Sequence, residues 1–367
     1  MAYHIGIITI DDSENYGNRL QNLAMQSFMA DLGYDVHTFH RIYSPWNSLT
    51  LKKIVKLLLG RCVWISKRFF KKAFVFQRFY NFYNFNKHYI AWDRHTLEKL
   101  PETSYLESNY DGLVVGSDQV WNFKFYFNDR GNLLSDVSTE IRKIALAASI
   151  GNTCLSDEER MLFQKYLNQF HAVSVREQSA IPLLQPYYYR NIIQICDPVL
   201  LVGRKYWERK KKDSRLKIKK RYILYFFLGT VRDEIQLFCQ KVAEQMNLCI
   251  VDVNNSKDSC YGIGPVDFLE AVSSAEYILT DSFHCSAFSV LFQKKFSIYD
   301  RDTNDMDVSN RTDELLGLFG LRHVKNLFSL DELVCQKPLD GTIIDKILEP
   351  EKKQAEDFVK MNLEGDI

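Results

Sequence analysis

Short apolar runs rich in β-branched residues recur along the chain, separated by longer amphipathic stretches. Residues 4–10 (HIGIITI) have the pattern of a buried strand. A polar turn over 11–18 leads into 19–32. There Leu20, Leu23, Ala24, Phe28 and Leu32 fall on one helical face, and Gly33 is placed to close the helix as a left-handed cap. A strand resumes at 35–39. Further strands are predicted at 112–115, 143–148, 172–176, 192–196, 222–228, 248–253, 277–280 and 296–299. Helical spacing occupies 157–170, 232–246, 265–274 and 284–292. Strand, helix, strand in alternation predicts an α/β chain built on parallel sheets.

Two stretches break the alternation. Residues 51–90 hold ten Lys or Arg, no Asp or Glu, and a dense set of aromatics. They read as a basic amphipathic helical insertion, suited either to an anionic membrane surface or to packing on the domain with solvated lysines. Residues 204–221 (RKYWERKKKDSRLKIKKR) are polar and lysine-rich and read as a linker. The expected organisation is therefore a Rossmann-like domain over 1–203, the linker at 204–221, a second Rossmann-like domain over 222–345 and a helix over 346–367. At 367 residues, two cores are expected.

Composition narrows the function classes. Apolar residues make up 46%, charged residues 25%, and the formal net charge is +1. The molecule as a whole is not a polyanion binder, and no nucleic-acid motif accompanies the basic stretch, so no nucleic-acid partner is expected. None of the eight cysteines forms a CxxC pair, and no Cys/His group has zinc spacing, so no metal is expected. With no signal peptide and no apolar run of about 20 residues, a cytoplasmic protein is expected, peripheral on the inner face of the membrane if residues 51–90 bind it.

Three motifs concentrate chemistry at strand ends. His284, in Thr280-Asp281-Ser282-Phe283-His284-Cys285, follows a strand and opens a helix. A helix start suits a phosphate or carboxylate, and a histidine there can act as a hydrogen-bond donor or general acid. The alternative is a cap at Asp281 or Ser282 with His284 locally satisfied. Gly116-Ser117-Asp118-Gln119-Val120-Trp121-Asn122 crowds polar groups onto one strand end, with Trp121 as a sugar platform or a core anchor. In Asn15-Tyr16-Gly17-Asn18-Arg19-Leu20-Gln21-Asn22, Gly17 permits close backbone approach, and Asn18, Gln21 and Asn22 suit sugar hydroxyls or an ordinary polar helix face. Arg176 ends a further strand beside Glu177, and Arg311 lies in Ser309-Asn310-Arg311-Thr312; either guanidinium matches a carboxylate or phosphate, whether of a ligand or of a neighbouring side chain. GxGxxG, Walker, GxSxG and HExxH patterns are absent.

These segments, together with Ala148-Ser149-Ile150-Gly151, Ser174-Val175-Arg176-Glu177 and Cys196-Asp197-Pro198-Val199-Leu200-Leu201, resemble the polysaccharide pyruvyl transferase family in identity and order. The resemblance implies two Rossmann-like domains facing a central cleft, as in GT-B glycosyltransferases. It implies phosphoenolpyruvate as co-substrate, no separate cofactor, and a glycan acceptor, often carried on a polyprenyl phosphate lipid. On that basis His284, Arg176, Ser282 and Arg311 are expected on the donor. Tyr16, Gly17, Asn18, Gln21, Ser117, Gln119 and Trp121 are expected on the acceptor, with Asp118 as its base. Some members carry an arginine two residues before the histidine, where this chain has Ser282; Arg176 first and Arg311 second are the expected substitutes. Phe283 and Cys285 also stand where a leucine and a glycine are common. The alternatives are a nucleotide-sugar glycosyltransferase on the same fold and a non-catalytic, membrane-associated subunit of glycan assembly.

Overall fold

The computed structural model describes residues 3–12, 14–40, 68–96, 103–123, 130–135, 137–138, 140–301 and 307–365. The strands of the first unit form where the apolar runs predict, with one more at Trp92–Thr96 that the pattern does not announce. β1 (His4–Ile8), β2 (Asp35–His40), β3 (Trp92–Thr96), β4 (Gly112–Val115), β5 (Arg142–Ala148), β6 (Ala172–Val175) and β7 (Ile193–Gln194) make one parallel sheet in the order β3-β2-β1-β4-β5-β6-β7. A second parallel sheet follows the order β11-β10-β8-β9, from β8 (Tyr222–Phe226), β9 (Cys249–Asp252), β10 (Tyr277–Thr280) and β11 (Lys295–Ile298). The architecture is α/β, two Rossmann-like units in a GT-B-like arrangement.

Each sheet reverses its winding once, between β1 and β4 in the first and between β8 and β10 in the second. The carboxyl ends of strands beside such a reversal are where open α/β sheets hold ligands. Those ends carry Gly116-Ser117-Asp118 and Thr280-Asp281-Ser282.

The helices that matter for the site are α1 (Tyr16–Asp31), α2 (Arg68–Tyr89), α3 (Asp157–Tyr166), α4 (Pro198–Leu201), α5 (Asp233–Met246), α6 (Pro265–Ser274), α7 (Phe283–Leu291), α8 (Asp307–Leu318) and α9 (Gly341–Glu364). α1 begins three residues earlier than its apolar face suggests. Asn15 is its cap, accepting the Asn18 N–H at 3.2 Å, so Asn18 lies inside the first turn.

One core cluster contains residues of both sheets, from Ile5 and Tyr16 to Phe226 and Ile278. Two polar ties reinforce this contact. On one side the buried Arg78 of α2 donates to the Tyr16 hydroxyl at 2.6 Å and to the carbonyls of Glu14, Val253 and Tyr261. On the other, Glu314 of α8 accepts the N–H of Gln178 at 3.0 Å and the side-chain amide of Gln194 at 2.8 Å.

The polar stretch 204–221 begins as a helix, Gly203–Lys210, and Trp207 within it is fully buried. Trp207 donates its indole N–H to the Val199 carbonyl and meets Phe288 of α7 edge-on. The C-terminal helix begins at Gly341 and returns to the first sheet, where Arg142 at the start of β5 donates to the carbonyls of Asn362 and Gly365. Of the basic insertion, residues 51–67 lie outside the described residues, and 68–89 form α2.

Candidate active site between the two sheets

The first unit contributes three strand ends and the start of α1. At β4 the chain passes through Gly116, whose φ of 135° and proximity to the Leu146 carbonyl leave no space for a side chain: a Cβ would lie 2.1 Å from that oxygen. The turn delivers Asp118, itself at positive φ, onto α1. Its Oδ2 accepts from Asn18 Nδ2 at 3.0 Å and its Oδ1 lies 4.0 Å from Arg176 Nη1. Burial alone would raise the Asp118 pKa, but His284 and Arg176 outweigh it and hold the carboxyl below the ordinary range. A carboxylate held ionised in this way accepts hydrogen bonds well and stores a proton poorly.

Arg176 stands just past β6 and is buried. Its Nη1 donates to Asp197 Oδ2 at 2.8 Å, and its guanidinium lies over the Phe283 ring at 4.7 Å. Its Nε and Nη2 have no hydrogen-bond partner. Burial opposes the charge, yet Asp197, Glu177 and Asp118 together raise its pKa. Glu177 holds its Oε2 3.7 Å from Arg176 Nε, while its Oε1 accepts from the Ser149 hydroxyl and the N–H groups of Ile150 and Gly151, so the Ala148–Gly151 loop is fixed to the end of β6.

Asp197 is the junction of the site. It caps α4 through the Val199 N–H at 2.9 Å, accepts from the Ser117 hydroxyl at 3.3 Å and pairs with Arg176. Its Oδ2 also lies 3.6 Å from His284 Nε2, beyond a hydrogen bond. Burial works against its charge, but His284, Arg176 and the Val199 N–H hold its carboxyl far below the usual range. In the sequence Asp197 stands within a family motif that assigns it no role. The available signal was an acidic residue before Pro198, at the end of an apolar run.

The second unit contributes the start of α7. Ser282 caps this helix, accepting the Cys285 N–H at 3.4 Å while its own N–H donates to the Thr280 hydroxyl. Asp281 turns away to accept the N–H groups of Leu228 and Gly229 and the Nε of Arg301 at 2.9 Å. His284 is left facing the first unit, buried, with Nε2 unpartnered.

Arg311 of α8 is buried beside this group, and its Nε is also unpartnered. Desolvation, aided by the nearby Arg176 charge, pushes its pKa down to about 10. The Gln119 amide lies 2.6 and 2.8 Å from its two terminal nitrogens; with the oxygen on that side it accepts from both. A cavity of about 380 Å³ opens here, lined among others by Arg176, Asp197, Phe283, Arg311, Glu314 and Arg322.

His284, Asp118, Arg176, Asn18, Ser117, Gln119, Ser282 and Arg311 therefore gather in one place, with Gly17 against the imidazole. Three expected acceptor residues stand apart. Trp121 is fully buried, donates to the Asn132 carbonyl and packs edge-on against Phe163 and Phe170, so it is a core anchor and its face is not open to a sugar. Tyr16 is buried between the units, stacked on Phe268, with its hydroxyl shared by Arg78 and the Ile263 carbonyl. Gln21 is fully buried and its side-chain oxygen accepts from Thr9. Ser117 and Gln119 are at the site but hold Asp197 and Arg311 in place.

The sequence model of the polysaccharide pyruvyl transferase family matches residues 15–303, which takes in Asn18, Asp118, Arg176, Asp197 and His284. The chain belongs to that family. Arg311 and Glu314 lie just beyond the matched span. A search of curated proteins gives no match. Among solved structures it is similar to a UDP-GlcNAc 2-epimerase of Methanocaldococcus jannaschii, with 12% identity, 98% of this chain and 99% of that chain covered, and a TM-score of 0.49. It is also similar to the Neisseria meningitidis UDP-GlcNAc 2-epimerase bound to UDP-GlcNAc (9%, 96% and 94%, 0.46) and to S. aureus MnaA with UDP (13%, 96% and 97%, 0.44). At such identities nothing of those proteins' substrates transfers to this one.

Proposed function

We propose that this transferase moves the enolpyruvyl group of phosphoenolpyruvate onto two hydroxyls of one sugar in a glycan carried on a polyprenyl phosphate, forming a pyruvate ketal and releasing phosphate. The observation that carries the reading is the pair of buried arginines, Arg176 and Arg311. Both side chains carry unpartnered N–H groups and line one cavity, whose wall also includes Asp197 and Phe283, the residue before His284. A buried guanidinium with idle donors is costly unless a ligand completes it. A small dianionic molecule with a carboxylate and a phosphate is matched to two such groups.

In the reaction His284 delivers a proton from Nε2 to the methylene carbon of the donor, leaving an oxocarbenium-like centre at its neighbour. One sugar hydroxyl adds there, the carbon–oxygen bond to phosphate breaks, and the second hydroxyl closes the ketal. Of the two hydroxyl protons, one restores His284 and one leaves with phosphate. Asn18 and Asp118 orient the hydroxyls, and Asp197 is the positioning residue for both Arg176 and His284.

The test is thermal stabilisation by phosphoenolpyruvate beside a panel of nucleotide sugars, followed by phosphate release with glycan acceptors. A ligand at a hundredfold excess over its Kd stabilises by about 2.7 kcal/mol, so the shift is measurable. Stabilisation by phosphoenolpyruvate, weakened in Arg176→Lys, with turnover at least about 10²-fold lower in His284→Ala, supports the reading. Stabilisation by a nucleotide sugar alone overturns it.

A further inference from the structure

Outside the site, the most unusual surface lies on α2. Its inner face carries Arg78, Phe82 and Phe85, all buried against α1 and the second unit. Its outer face carries Val75, Phe76, Phe79, Tyr80 and Tyr83, with Phe76, Tyr80 and Tyr83 each more than half exposed, at 54%, 54% and 55%. The spacing of 76, 80 and 83 puts them on one stripe, opposite 78, 82 and 85. A soluble helix normally turns its polar side outward, and this one turns aromatics outward while using its inner side for anchoring.

Charge says what that stripe meets. Residues 68–90 contain five Lys or Arg, of which Arg78 faces inward, and no Asp or Glu, within a stretch 51–90 that contains ten and none. Lys87 and His88 are exposed at the C-terminal end of the helix. Aromatic rings flanked by cations are the combination favoured at the headgroup level of an anionic bilayer, where rings enter the boundary and lysines meet phosphates. Among the described residues no helix is long and apolar enough to cross a membrane. We infer that the outer face of α2, through Phe76, Phe79, Tyr80 and Tyr83, docks the protein on an anionic lipid surface.

The placement has a consequence for the site. Arg78 on the reverse of α2 bonds the Tyr16 hydroxyl, and Tyr16 precedes Gly17, which touches the His284 imidazole. The docked helix is thus one side-chain layer from the cleft. The docking inference does not depend on which donor the cleft takes.

Vesicle flotation of the full chain tests it. Phosphatidylcholine vesicles and vesicles that also contain phosphatidylglycerol are compared at low and high salt, for wild type and for Phe76→Ser/Tyr80→Ser/Tyr83→Ser. Wild type is expected to float with the anionic vesicles, less so at high salt, and the triple variant to lose at least about tenfold in partitioning with an unchanged thermal midpoint. Lys87→Glu gives a smaller loss in the same direction. Absence of wild-type flotation overturns the inference, as does equal flotation of the triple variant. A lipid-free dimer in sedimentation velocity that the triple substitution abolishes also overturns it, because the face is then a contact between copies.

Discussion

A Cβ on Gly17 would lie 2.3 Å from Nδ1 of His284. The head of α1 and the head of α7 therefore meet with no space for a side chain, and the glycine sets where the imidazole sits. Gly17→Ala is expected to displace His284 or the start of α1. A displacement near 1 Å lowers turnover by about 10²-fold. Steady-state kinetics beside a melting curve checks this: turnover should fall far more than stability.

Asp197→Asn leaves the buried Arg176 without its closest counter-charge and is expected to cost about 3–5 kcal/mol, read by urea unfolding at pH 7. The pH dependence follows from the lowered Asp197 and Asp118 pKa values. A carboxylate that binds its proton less readily when folded contributes stability above its unfolded pKa, near 4. That contribution is lost as pH falls through the folded value. The gap in stability between wild type and Asp197→Asn should therefore shrink below about pH 4.

Arg311 illustrates a trade between stability and binding. Its pKa is pushed down, so holding its charge in the fold costs free energy at neutral pH. Arg311→Gln is expected not to lower the thermal midpoint of the unliganded protein, and to weaken the midpoint shift given by phosphoenolpyruvate at least about tenfold in apparent Kd. A variant that loses stability and keeps donor binding would place Arg311 in the scaffold alone.

Trp121 separates a sugar platform from a core anchor. Being fully enclosed, Trp121→Ala should destabilise by about 3–5 kcal/mol. Trp121→Phe should lower stability by less and leave the acceptor KM unchanged. A raised KM with full stability would return Trp121 to the acceptor.

The amino-acid sequence by itself determined most of the strands and helices around the cleft and the strand ends where chemistry concentrates. Runs such as Ile5–Ile8 can be satisfied only inside a sheet, and local turn chemistry fixes where each run stops. It also contained the family motifs, and with them His284, Asp118 and Arg176. It did not reveal β3, whose residues Trp92–Thr96 alternate too weakly, or α8, which brings Arg311 and Glu314 to the site.

Partnership was decided by tertiary structure. Asn18 and Asp118 are 100 residues apart in the chain and share a hydrogen bond. Whether Asp197 would be a plain helix cap or the junction of Arg176 and His284 depended on the two sheets closing on each other. Trp121 and Tyr16 were ambiguous for the same reason. An aromatic side chain has the same local pattern in a core and at a ligand, and only the packing of distant elements determines which face stays open.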